Sequence, residues 1–134
     1  MQTMSGTPSP IIPASLSVVM PVYNEEDAIE TVIADYLDII GQFEHGELVI
    51  INDKSTDHTL ALLEKLAAQD SRVRFFSNEV NLGHGPTLIR AYREARGDYV
   101  FHVDSDNQFI AEDFWLLWNG LQETGASVAI GRRI

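Results

Sequence analysis

The sequence predicts an α/β domain, a mostly parallel sheet with helices on both faces. Two observations predict it. Short apolar runs that read as buried strands alternate four times with stretches of helical periodicity. Strands one, two and four each end in a polar cluster, at Tyr23-Asn24-Glu25, Asn52-Asp53 and Asp104-Ser105-Asp106. In right-handed βαβ units such ends share one edge of the sheet. That carboxyl edge is where open α/β sheets bind ligands.

Each element has a local reason. Residues 1–15 are rich in Ser, Thr and Pro and read as a flexible leader, leaving 16–134 as the domain. Residues 16–22 (LSVVMPV) read as the first strand. Asn24 is expected to cap the first helix, with Glu25, Glu26 and Asp27 in its first turn. Ile29, Val32, Ile33, Tyr36, Leu37 and Ile40 follow at helical spacing as its core face, and Gly41 ends it. Residues 47–51 (ELVII) form the second strand, and 52–57 a turn and cap cluster. A second helix turns Leu62, Leu63 and Leu66 inward, and 73–76 is a short third strand. The glycine-rich loop 81–86 opens a third helix through Leu88, Ile89, Tyr92 and Ala95. The fourth strand begins at Tyr99. Residues 109–124 carry a fourth helix with Phe114, Leu117, Trp118 and Leu121 buried, and 126–130 a fifth strand.

Composition bounds the function. The 134 residues are 45% hydrophobic and 22% charged, the balance of one soluble domain with a real core. The net charge of −11 argues against a nucleic-acid polymer as partner. It leaves room for a small phosphorylated ligand, because a bound divalent cation changes the local sign. Without cysteine, disulfides and thiolate metal sites are excluded, and a reducing compartment is inferred. There is no apolar run near the ~20 residues of a membrane span, and no signal-peptide pattern. A cytoplasmic location is expected.

The chemistry gathers in three places. Asp104 and Asp106 share a face if the strand continues extended, and Gln108 can join them. Two carboxylates and an amide oxygen make a hard site suited to Mg²⁺ or Mn²⁺. A lone Asp-x-Asp is weak, since about half a match arises by chance at ordinary acidic content. Its weight comes from the buried strand before it and the motifs upstream. Tyr23 offers a ring for stacking and Glu25 an acceptor at a helix start, although a strand end plus a cap explains both. Asp53 lies where nucleotide-binding α/β folds place an acid for a ribose or base, or it is a turn residue. The loop 81–86 is neither a Walker loop nor a dinucleotide fingerprint. It could bring backbone amides to a phosphate or simply lead into a helix with Pro86 in its first turn. Arg90, Arg93 and Arg96 read first as a solvated helix face, and second as cations that help hold an anionic ligand.

Five stretches in this order resemble glycosyltransferase family 2: LSVVMPVYNE at 16–25, IINDKSTD at 50–57, NLGHG at 81–85, GDYV at 97–100 and DSDNQ at 104–108. The resemblance runs from Leu16 to Arg133. Gln108 after the two aspartates makes it closest to the polyprenyl-phosphate members, including dolichyl-phosphate mannose synthases. It implies the Rossmann-like nucleotide-binding half of a GT-A fold, a nucleotide-diphosphate sugar, and Mg or Mn. By matching position it implies that Pro21, Tyr23, Glu25 and Asp53 hold the nucleoside. Asp104 and Asp106 would bind metal and diphosphate, with Gln108 as a further metal ligand. Arg133 would lie near phosphate. An inverting transfer is implied, with a polyprenyl phosphate at a membrane surface as one acceptor. Two positions depart from the family. Asn52 replaces the first of an aspartate pair, and His84 stands where lysine is common.

Other readings compete. A phosphatase of the haloacid dehalogenase type also has Asp-x-Asp after a strand, but on the first strand of its domain. A nucleotide-sugar-binding module without catalysis keeps the same donor residues. Family members continue for roughly another hundred residues, by resemblance. The chain is therefore expected to be a donor half that self-associates through an unpaired sheet edge. No catalytic base is identified.

Overall fold

The computed structural model describes residues 10–103 and 112–125. Its elements are β1 (Ile12–Val22), α1 (Ile29–Ile40), β2 (Phe43–Asn52), α2 (Thr59–Gln69), β3 (Val73–Ser77), α3 (His84–Glu94), β4 (Tyr99–His102) and α4 (Asp113–Thr124). The four strands form one sheet in the order β3-β2-β1-β4. All three pairings are parallel. The fold is the α/β, helix-covered parallel sheet that the alternation predicts.

Period-two alternation divides the core between the two faces. Leu16, Val18, Met20 and Val22 of β1, with Leu48 and Ile50 of β2, pack with α1, Leu63 of α2 and Phe114 of α4. Val19, Val49 and Ile51 point the other way, onto Ala91 and Leu88 of α3. So α1 and α2 cover one face and α3 the other. A chain that winds outward through β1, β2 and β3 and then returns to β4 must cross on the opposite face to keep its right hand.

β1 starts four residues before the expected Leu16, so 12–15 are not leader. The Ile12 amide donates to the Gln42 carbonyl at 2.8 Å, and β2 likewise starts early, at Phe43. The ladder shifts register between Ile12 and Ser15. Pro13 lies at that irregularity, where its missing N–H costs no ladder bond. Asn24 does not cap α1. The helix begins at Ile29 after a turn in which Glu25 carbonyl accepts from the Ala28 and Ile29 amides. α3 buries Thr87 and Ala91, while Ile89 and Tyr92 are 54% and 42% exposed. α4 is described from Asp113, and its Phe114 is buried against Phe43 and Phe101. The expected fifth strand at 126–130 lies outside the described residues.

One core group is unbalanced. Tyr36 is 2% exposed and its hydroxyl finds no hydrogen-bond partner among the described residues. Burial, then Asp35 and Asp113, pushes its ionisation far above the usual tyrosine range, so it stays a neutral phenol. Tyr36→Phe removes an unsatisfied polar atom and keeps the ring contacts. It should leave stability unchanged or raise it by about 1 kcal/mol, read as a higher midpoint in urea unfolding. A loss of 1 kcal/mol would show that the hydroxyl has a partner.

Candidate functional site

The strand ends meet at the carboxyl edge. The Asp53 amide donates to the Val22 carbonyl at 2.8 Å, Asn78 to Asn52 at 2.9 Å, and Val103 to Val19 at 3.0 Å. Strand order reverses between β1 and β4, because β2 and β3 lie on one side of β1 and β4 on the other. Such a reversal is where loops diverge to opposite faces and leave a crevice. Pro21 is buried within β1, opposite Ile51. Tyr23 follows β1 directly and is 47% exposed. A large aromatic ring left in water at such a crevice has a face available for stacking.

Among the described residues Asp53 is the buried charge of this edge, 4% exposed. Its Oδ1 accepts from Asn78 Nδ2 at 2.8 Å and from the Leu82 amide at 2.7 Å. Oδ2 accepts from the Gly83 amide at 2.9 Å. Its backbone carbonyl accepts from Asn81 Nδ2 at 3.0 Å. Burial, the largest influence, pushes its pKa up, but the Leu82, Asn78, Gly83 and Thr87 donors together hold it below the usual aspartate value. Asp53 therefore remains a carboxylate and clamps the glycine-rich loop. Gly83 has φ 90°, a conformation that side chains resist. The loop then runs into α3 with Pro86 in the first turn, as its chemistry predicts.

Asn52 explains its departure from an aspartate pair. It is 2% exposed, donates Nδ2 to Ser77 Oγ at 3.2 Å and accepts the Ser55 amide at 3.1 Å. An amide supplies both a donor and an acceptor there, without a second buried charge beside Asp53. Glu25 is half-buried, and its amide donates to Thr59 Oγ1 at 2.9 Å. Asp57 accepts from the Thr59 amide at 2.9 Å and so caps the approach to α2.

The sequence reasoning missed Asn78 and gave Arg90 a different role. Asn78 joins Asp53 to Thr87 Oγ1, at 2.8 and 3.0 Å, and its Oδ1 accepts Arg90 Nη1 at 2.9 Å. Arg90 also donates to the Ser77 carbonyl at 3.0 Å, so it braces the loop rather than forming part of a solvated face. A polar residue directly after a short strand was the available signal for Asn78. Asn24, expected as a cap, instead joins the two loops that follow β1 and β2.

Asp104, Asp106, Gln108 and Arg133 lie outside the described residues. Among the described residues no group of three acidic or histidine side chains could hold a metal. Asp104 follows Val103, whose amide still pairs with β1 at the carboxyl edge. The oxygen donors of Asp104, Asp106 and Gln108 suit a hard divalent cation by their chemistry. A cavity of about 660 Å³ opens elsewhere, between Pro13, Asp98, Tyr99, Trp118 and Gln122. It lies at the amino edge of the sheet and shares no residue with this site.

Comparison with known proteins places the chain in a family. The model of Glycosyl transferase family 2 matches residues 17–134. An undecaprenyl-phosphate 4-deoxy-4-formamido-L-arabinose transferase of Shewanella sediminis is 33% identical over 88% of the chain and 36% of its own length. A poly(ribitol-phosphate) beta-glucosyltransferase of Bacillus spizizenii is 31% identical over 87% of the chain and 19% of its own length. The chain thus spans well under half of these relatives. S. aureus TarS in complex with UDP-GlcNAc superposes with a TM-score of 0.69 at 26% identity, over 90% of this chain and 36% of that one. The fold and a match over nearly the whole domain agree: the chain belongs to glycosyltransferase family 2.

Proposed function

We propose that this chain holds a nucleotide-diphosphate sugar at the carboxyl edge of its sheet and supplies the donor side of a sugar transfer. The observation that carries it is the placement of exposed Tyr23 and buried Asp53 at the ends of adjacent strands, beside the reversal of strand order. Tyr23 stacks on the base, and Pro21, Glu25 and Asp53 shape the nucleoside pocket. Asp104, Asp106 and Gln108 hold Mg²⁺ or Mn²⁺ against the diphosphate, and Arg133 adds a positive charge there. Relatives with the same fold support a nucleotide sugar, since one binds UDP-GlcNAc. Another structure, a Pyrobaculum calidifontis mannosyltransferase, contains GDP-Man and Mn²⁺; at 23% identity and a TM-score of 0.62 it speaks for the fold.

Transfer breaks the bond between the anomeric carbon and the diphosphate, whose oxygen keeps the electron pair. A bound divalent cation stabilises that leaving group. An acceptor oxygen attacks from the opposite face and inverts the centre. The name of the Shewanella relative supports a polyprenyl phosphate as acceptor. In this reading the protein works at the cytoplasmic face of a membrane. A second reading is a binding module without catalysis. Transfer of labelled sugar to polyprenyl phosphate separates the two.

Titration of a nucleoside diphosphate with and without Mn²⁺ tests the site. Asp106→Asn should lose the metal-dependent gain in affinity, at least about tenfold, or ~1.4 kcal/mol, with circular dichroism unchanged. Retained Mn²⁺ dependence in that variant would remove the metal assignment.

A further inference from the structure

We infer that Asn24 is a positioning residue that presents the Tyr23 ring to the nucleoside by locking the loop after β1 to the loop after β2. The inference rests on the nucleoside reading above. Asn24 has φ 51°, a left-handed conformation that only Gly, Asn and Asp adopt routinely. Its Oδ1 accepts from the Thr56 amide at 2.7 Å and the Asp57 amide at 3.3 Å. Its Nδ2 donates to Thr56 Oγ1 at 3.2 Å, and its own amide donates to Ser55 Oγ at 3.0 Å. The residues that follow continue the seam. Glu26 amide donates to Asp57 Oδ2 at 3.4 Å, and His58 amide donates to Glu26 Oε1 at 2.9 Å.

Stability alone does not explain this seam. Asn24 and Thr56 are exposed, and bonds exposed to water add little net stability because water competes for each one. A left-handed backbone angle held by such bonds on an exposed loop points to function more than to folding. What the seam fixes is the backbone next to an exposed aromatic ring. The left-handed turn at Asn24 ends the extended run, so Tyr23 stays at the edge beside Asp53, whose amide pairs with Val22. A ring carried on a fixed backbone loses less freedom when a ligand stacks on it.

The test uses the whole chain and two probes, uridine and guanosine monophosphate, titrated without metal by calorimetry. Wild-type protein should bind one of them. Asn24→Gly accepts the same φ but deletes the side-chain bonds. It should keep the wild-type melting temperature within a few degrees and bind about tenfold more weakly. Asn24→Asp retains an acceptor oxygen for the Thr56 and Asp57 amides and tolerates the same φ. It should recover affinity to within about threefold. Asn24→Gly binding as tightly as wild type, or Asn24→Asp binding as weakly as Asn24→Gly, would overturn the inference and leave the nucleoside reading standing. Wild-type protein that binds neither probe would overturn both.

Discussion

Asp53→Ala should destabilise the protein by about 3 kcal/mol and weaken nucleoside monophosphate and diphosphate to a similar degree. Besides the Thr87 hydroxyl, the carboxylate satisfies three donors fixed in place, the Leu82 and Gly83 amides and Asn78 Nδ2. A buried donor left without a partner costs about 1–3 kcal/mol. The three losses overlap, because they belong to one loop that can shift as a unit, so the total falls below their sum. Two anchors remain, the Asn81 bond to the Asp53 carbonyl and the Arg90 brace on Asn78. The loop should loosen without the domain unfolding. Binding falls whether Asp53 touches the nucleoside or only shapes its pocket, and the monophosphate shows this without interference from metal. Urea unfolding gives the stability term and calorimetry the binding term. If the diphosphate alone weakens, Asp53 acts on phosphate or metal instead.

The frame of the fold was legible because its signals are local and strong. Val18, Val19, Met20, Val49, Ile50 and Ile51 are apolar because strands in a parallel sheet are buried on both faces. What the sequence did not reveal comes from partners distant in the chain. Residues 12–15 look like a leader by composition, yet Ile12 and Ser15 pair with the equally unpromising Phe43 and His45. Asn24 reads as a cap because it precedes acidic residues and a periodic stretch, yet its partners are more than thirty positions away. Asp53 was legible as an acid at a strand end. Its occupation by the loop at 82–83 was not, since backbone donors leave no mark on residue identity. Arg90 looked like one of three exposed cations, and only its tertiary partners, Asn78 Oδ1 and the Ser77 carbonyl, set it apart.

Glu47→Ala should cost about 3 kcal/mol and should flatten the acid limb of the stability profile. Glu47 joins four segments at the edge of the sheet opposite the candidate site. Its Oε2 accepts Ser17 Oγ at 2.6 Å and the Arg96 amide at 2.8 Å, and Oε1 accepts Arg74 Nη1 at 2.8 Å. The Glu47 and Arg74 side chains are 14% and 19% exposed, and removing one member of such a pair strands the other charge, at ~3–5 kcal/mol when fully buried. Partial exposure and the nearby Glu94, 3.9 Å from Arg74, place the cost at the low end. Ser17 Oγ also accepts the Gly97 amide at 2.8 Å. There the backbones approach so closely that a Cβ on Gly97 would meet the Ser17 nitrogen at 2.8 Å. The cluster therefore sets where β4 enters the sheet. Burial, the largest influence, pushes the Glu47 pKa up, but Ser17, Arg96 and Arg74 together pull it below the usual glutamate value. The unfolded chain then binds the proton more readily than the folded one. This contribution is complete above the unfolded value of about 4.3 and is lost as pH falls through the lower folded value. Wild-type protein should lose melting temperature below about pH 4. Glu47→Ala should start lower at pH 7 and lose less over the same range. Glu47→Gln, which keeps acceptor oxygen but not charge, should fall between them at pH 7. An acid limb in Glu47→Ala as steep as that of wild type would show that other carboxylates carry the dependence and that the Glu47 cluster does not hold β4 in place.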